Sequence, residues 1–186
     1  MMKKMSGISR VLLILSAALV VCTIFFPWWG MEFFAPQYPE GLNIIVYPNH
    51  MEGNLDAINS LNHYIGMKEF SDENFPELGY LTYLIVGLAA LTLAVAAIGR
   101  RVYLFVLAVM FSFGGALGLY DIHRWLYHFC TDLDPKAPIK VPPFVAPMIG
   151  DNKLANFITH SYFTTGSFLL GAAFLLVAVA IWRERK

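Results

Sequence analysis

YLTYLIVGLAALTLAVAAI at positions 80–98, GRR at 99–101 and VYLFVLAVMFSFGGALGLY at 102–120 decide how this chain is built. Each apolar run is close to the roughly 20 residues that cross about 30 Å of hydrocarbon at 1.5 Å rise per residue. Neither contains Lys, Arg, Asp or Glu. Lipid offers no hydrogen bonds to the backbone, so each run must satisfy its own peptide groups as a helix. The link Gly99-Arg100-Arg101 has room only for a turn, so the pair reads as a transmembrane hairpin with a basic tip.

Working outward, Val11–Trp29 and Ser161–Trp182 are two more charge-free apolar runs of spanning length. Apolar residues make up 58% of the 186 and charged residues 14%, well below the ~25% of a soluble domain. The expected fold is therefore an all-α membrane protein. It is a four-transmembrane-helix bundle (11–29, 80–98, 102–120, 161–182) with two extracytoplasmic loops, 30–79 and 121–160. The first run follows Lys3, Lys4 and Arg10, as a signal peptide would. Its length, its ending in Phe25-Phe26-Pro27-Trp28-Trp29 and the lack of a small-x-small cleavage site favour a retained anchor.

Charge sets the expected orientation. Residues 1–10, 99–101 and 183–186 carry eight basic residues and one acid, Glu184, while the two long loops carry five basic residues and twelve acids. The positive-inside rule puts the +7 side in the cytoplasm, with both termini, and the −7 loops outside. Trp28, Trp29, Trp125 and Trp182 fall at span ends, where amphipathic rings prefer to sit. Gly114-x-x-x-Gly118 and Ser167-x-x-x-Gly171 are small-xxx-small patterns that predict close packing of spans three and four. Net charge is zero, and no nucleic-acid partner is expected.

In the first loop, Pro36 and Pro39 enforce extended or turning backbone. The β-branched Asn43–Tyr47 suggests a short strand. Asn54 is placed to cap an amphipathic helix running to about Ile65, with Leu55, Ile58, Leu61 and Ile65 on one face and Gly66 ending it. Asp56, Asn59, His63 and Met67 lie on the other face. In the second loop, helix three should continue past the bilayer through Asp121–His128. The five prolines of Pro135–Pro147 predict an extended strap, and Asp151–Phe157 leads back to span four.

All five histidines, His50, His63, His123, His128 and His160, fall on the outer side, together with Met31, Met51, Met67, Met148 and Cys130. Imidazole, thioether and thiolate are the ligand set that suits copper, Cu(I) above all. The tightest groupings are His50-Met51, His63-x-x-x-Met67 and His128-x-Cys130, with Asp56 or Asp121 available to orient an imidazole. The competing readings are that methionine fills irregular cores and that Asn62-His63-Tyr64 is a hydrogen-bonded structural corner. His123 and His160 are an alternative pair for a haem or a quinone. Cys22 lies within a span and Cys130 in a loop, so a bridge between them is not expected. No nucleophile elbow, phosphate-cradling loop or charge within a span points to an enzyme or an ion pathway.

The loops carry three longer motifs: Pro36-Gln37-Tyr38-Pro39-Glu40-Gly41-Leu42, Leu61-Asn62-His63-Tyr64-Ile65-Gly66-Met67, and Ala137-Pro138-Ile139-Lys140-Val141-Pro142-Pro143-Phe144 followed by Pro147-x-Ile149-Gly150. With these the chain resembles a family of small four-span bacterial membrane proteins associated with nitrous oxide reductase gene clusters, beside the NosL copper chaperone. The resemblance spans nearly the whole chain and brings no catalytic residues with it. It implies an inner-membrane accessory role in copper supply, maturation or electron transfer for a periplasmic copper enzyme. The metal ligands expected on these grounds are His63 and Met67, supported by His50, Met51, His128 and Cys130. The alternatives are a metal-free scaffold that docks a membrane or periplasmic partner, or a haem- or quinone-associated anchor.

Overall fold

The computed structural model describes residues 4–154 and 157–185. Four long apolar helices are suited to membrane spans: α1 (Gly7–Cys22, continued as a 3-10 turn to Phe25), α3 (Leu81–Ile98), α4 (Arg101–Thr131) and α5 (Thr165–Glu184). Between α1 and α3 lie β1 (Trp29–Ala35), β2 (Tyr38–Val46), β3 (Met51–Gly53) and the short helix α2 (Leu55–Ile65). Between α4 and α5 lie β4 (Gly150–Leu154) and β5 (Phe157–Phe163). The protein is thus not all-α. The segments expected as loops contribute a five-stranded antiparallel sheet of order β3-β2-β1-β5-β4.

The strands explain where the apolar runs stop being helix. α1 ends before Phe26-Pro27, and the chain enters β1 at Trp29, because Pro27 cannot continue the helical ladder. At the other end, Phe157–Phe163 is rich in aromatic and β-branched residues and pairs with both β1 and β4 as a strand. The fourth span accordingly begins at Thr165, not Ser161.

Register gives the sheet two unlike faces. Trp29, Met31 and Phe33 of β1 stand opposite Val46, Ile44 and Leu42 of β2, and opposite Phe163, Ser161 and Thr159 of β5. This face looks inward over the bundle. The other face carries Glu32, His160 and Tyr162, and the Tyr162 hydroxyl donates to Glu32 at 3.4 Å.

α1 is the hub of the bundle and packs extensively on both α5 and α3, whereas α3 and α4 touch only sparsely. Leu13, Val20, Leu104, Leu107, Ala173 and Val177 are fully buried in this core. The Ser16 hydroxyl donates to the Ala173 carbonyl at 2.9 Å, which fixes α1 against α5. The expected small-residue seam between α4 and α5 does not form. A Cβ built on Gly114, Gly118 or Gly171 would meet nothing within 4 Å, and Ser167 instead donates to the Trp28 carbonyl at 2.7 Å. The strand before α5 determines this, because it places the start of α5 beside the end of α1. Gly166 lies against Trp28, and its N–H donates to the Pro27 carbonyl at 2.7 Å.

Basic residues gather at the end of the bundle opposite the sheet. Met5 N–H donates to the Gly99 carbonyl at 2.7 Å, and Lys4 bridges to Arg100. There Glu184 is buried; its Oε1 accepts from Ser6 N–H at 2.8 Å and from the Ser9 hydroxyl at 2.7 Å, and its Oε2 lies 2.7 Å from Arg101 Nε. One carboxylate thereby ties α5 to the starts of α1 and α4.

Candidate functional site

The segment between α1 and α3 and the segment between α4 and α5 fold together as a single cap. α2 ends at Gly66 in the left-handed conformation, and the Gly66 carbonyl accepts from Asp134 N–H at 2.9 Å. The proline-rich strap is pinned along its length: Ile139 N–H donates to the Tyr64 carbonyl at 2.9 Å, and Phe144 N–H to the Cys130 carbonyl at 3.2 Å. Lys68 Nζ reaches Asp132 at 2.7 Å and holds that carboxyl below its ordinary pKa. Asn59 closes the chain after α2 with a reciprocal pair, donating to the Phe70 carbonyl at 2.9 Å and accepting from Phe70 N–H at 2.7 Å.

This folding separates the residues that the sequence grouped. His63 is exposed and sets its ring edge-on to Tyr64, while Met67, just past the helix, packs inward. His50 stacks on Tyr47 and bonds Asn49 and Glu52 at the surface, while its neighbour Met51 is buried with Ile44 and Ile58. His128 is exposed and lies 4.0 Å from Asp132, while Cys130 is buried as a free thiol. His123 is exposed on α4, and His160 pairs with Asp151 at 2.5 Å on the outer face of the sheet. Among the described residues no three His, Cys, Asp or Glu side chains are grouped to hold a metal ion.

A different set shares one cluster. Met31 on β1, Met67 after α2, Met148 before β4 and Cys130 at the end of α4 all pack in one apolar cluster with Trp29, Leu126 and Ala146. Trp29 Nε1 donates to the Met148 carbonyl at 2.9 Å and locks that segment under β1. Cys130 and Ala146 are both buried in the cluster. Met31 and Met148 sit in none of the three tight sequence pairs. The signal that could have found Met31 is its alternation with Trp29 and Phe33, which places all three on one strand face.

Below the cluster is a cavity of about 1130 Å³. Its upper wall includes Met31, Met67 and Cys130, and its sides are the facing parts of α3 and α4. At one edge Arg124 pairs with Glu77, and with Asp121 at 2.9 Å, and lies 5.0 Å over the Trp125 ring. Phe129 stacks with Phe70 at 4.8 Å and with Phe75 at 5.3 Å, and Phe75 leans on Trp125 at 4.6 Å. Thr159 and Ser161 are buried, and their hydroxyls have no hydrogen-bond partner among the described residues. Neither a protein-family model nor a curated protein sequence matches the chain.

Proposed function

We propose that the protein is a non-enzymatic accessory of the bacterial inner membrane. Its basic end faces the cytoplasm and its sheet cap faces the periplasm. It holds Cu(I) beneath the cap for a periplasmic copper enzyme such as nitrous oxide reductase. The orientation rests on the one-sided charge, and the service to a copper enzyme rests on the resemblance of the loop motifs. The observation that supports the metal is that Met67 and Met148 pack against the buried cluster that holds Met31 and Cys130. Soft sulfur donors select Cu(I) over harder ions, and a cluster made mostly of neutral thioethers can hold a monovalent ion without burying several anions. Met31, Met67 and Met148 are then the expected ligands with Cys130 beside them, and His50, Met51, His63 and His128 are not.

The test is Cu(I) competition against a chromogenic chelator on the purified protein. Met31→Leu, Met67→Leu and Met148→Leu keep near-native volume while removing the donor. Each is expected to lower affinity by tenfold or more, whereas His63→Ala leaves it unchanged. Copper at background level in the unaltered protein overturns the reading. A second reading, a metal-free docking scaffold, draws on the strap, which is hydrogen-bonded to α2 and α4 as one ordered cap. A stable periplasmic partner retained by all three Met→Leu variants would favour it.

A further inference from the structure

One ionic cluster, at the upper end of α3 and α4, does not balance in charge. Glu77 lies in the 3-10 turn Pro76–Gly79 that leads into α3, and Asp121 and Arg124 lie one turn apart on α4. Arg124 Nη2 donates to Glu77 Oε1 and, at 2.9 Å, to Asp121 Oδ1. Two carboxylates therefore meet at one nitrogen of one guanidinium, and with all three groups ionised the cluster is net negative. Among the described residues, Glu77 and Arg124 are the charged groups that act on Asp121. His123, two positions along, projects from the opposite side of the helix.

Neither carboxyl group is well hydrated. The Glu77 side chain is 16% exposed and that of Asp121 34%. Glu77 Oε2 is buried and has no hydrogen-bond partner among the described residues. A buried acceptor left unmatched is costly, and two like charges this close disfavour double ionisation. A proton on Asp121 relieves both penalties. It removes one of the like charges, and it turns an acceptor into a donor that can serve Glu77. Asp121 stands just past the charge-free run 102–120. Its partial burial, and then the Glu77 charge, push its carboxyl above the ordinary range in spite of Arg124.

The cluster sits where little else joins the two helices. α3 and α4 touch only sparsely, and a Cβ built on Gly87, Gly114 or Gly118 would meet nothing within 4 Å. At the upper end the turn before α3 is held to α4 by the Arg124 cluster and by Phe75, which leans on Trp125 at 4.6 Å.

We propose that Glu77 and Asp121 share one proton into the mildly acidic range, and that this proton latches the 76–79 turn to α4. With the proton in place, Arg124 faces a single negative charge and the Asp121 hydroxyl donates to Glu77. When pH rises and the proton leaves, the second charge repels the first and the turn loosens. The folded pair binds the proton more tightly than the unfolded chain does, so the latch contributes stability at acidic pH and loses it as pH rises. No sulfur donor takes part, so the latch is independent of the metal reading.

The test uses the full chain in nanodiscs, with Asp121→Asn and Glu77→Gln as variants of nearly unchanged shape. In infrared difference spectra across a pH titration, a protonated-carboxyl band should persist to about one pH unit or more above the ordinary carboxylate midpoint of about 4. Either substitution should abolish this late band, because a single carboxylate beside Arg124 ionises readily. Hydrogen exchange reads the latch itself. The exchange rate of amides 77–80 in the native protein, divided by that in Asp121→Asn at the same pH, cancels the intrinsic pH dependence of exchange. The ratio should be near one at about pH 5 and rise by up to about tenfold at about pH 8, the factor that one pH unit of preferential proton binding supplies. Absence of the late band in the native protein overturns the proposal. So does a late band that survives in Glu77→Gln, since burial alone would then hold the proton. An exchange ratio that does not change with pH overturns the latch.

Discussion

Gly166 shows how much of this molecule turns on single positions. It opens α5 directly beneath Pro27 and Trp28, where an added Cβ would lie 2.3 Å from Trp28 Cδ1 and 2.7 Å from the Pro27 carbonyl oxygen. Neither neighbour can give way freely, since Trp28 Nε1 donates to the Thr23 carbonyl at 3.0 Å and Pro27 stiffens the exit from α1. Gly166→Ala is expected to destabilise the protein by about 1–3 kcal/mol, the usual cost of forcing a packed site apart. Gly114→Ala, on an open helix face, should be neutral or slightly stabilising, because alanine is the better helix former. Thermal unfolding of the two variants in one detergent measures the contrast.

Between elements, one junction of cap and bundle lies at the end of α4. Phe129 is 2% exposed and sits among Phe70, Phe75 and Trp125, so one side chain links the segment after α2 to the long helix. Phe129→Ala would leave a cavity in a place that the strap and the sheet keep from collapsing. A loss of about 3–5 kcal/mol is expected. Because the damage is to cap docking, limited proteolysis should cut the 130–149 strap in this variant before the bundle unfolds. Cleavage that appears only together with loss of the spans would contradict that order. The same junction explains why His128 and Cys130, two residues apart, have opposite surroundings. On a helix that leans against the cap, positions i and i+2 face different ways.

At the scale of the whole molecule, charge and shape agree on a polarity. Lys4, Arg10, Arg100, Arg101, Arg183 and Arg185 lie at the end where the chain turns from α3 to α4, and the acidic cap lies at the other. A phosphatase reporter fused after residue 60 is expected to be active and one fused after residue 99 inactive, as a periplasmic cap requires. The reverse pattern would place the thioether cluster on the cytoplasmic side and overturn the proposed service to a periplasmic enzyme.

The sequence alone determined the four spans, the amphipathic α2 with its Gly66 stop and the extension of helix three beyond the apolar run, because each depends on neighbours within a few turns of the chain. Hydropathy, helical period and a left-handed glycine are local signals. It also held the β-branched Asn43–Tyr47, which the structure takes into β2. Only the tertiary structure decided that two loops make one sheet. The central pairing joins β1 to β5, Trp29 to Phe163 and Met31 to Ser161, residues far apart along the chain. Register between strands so far apart follows from which faces can be buried together, and no short stretch of residues records it. The folded cap put Met31 and Cys130 in one buried cluster, with Met67 and Met148 packed against it, and left the histidines at the surface. The spacing of His63 and Met67 gave the reverse impression, because the chain leaves the helix at Gly66 and Met67 follows the fold inward.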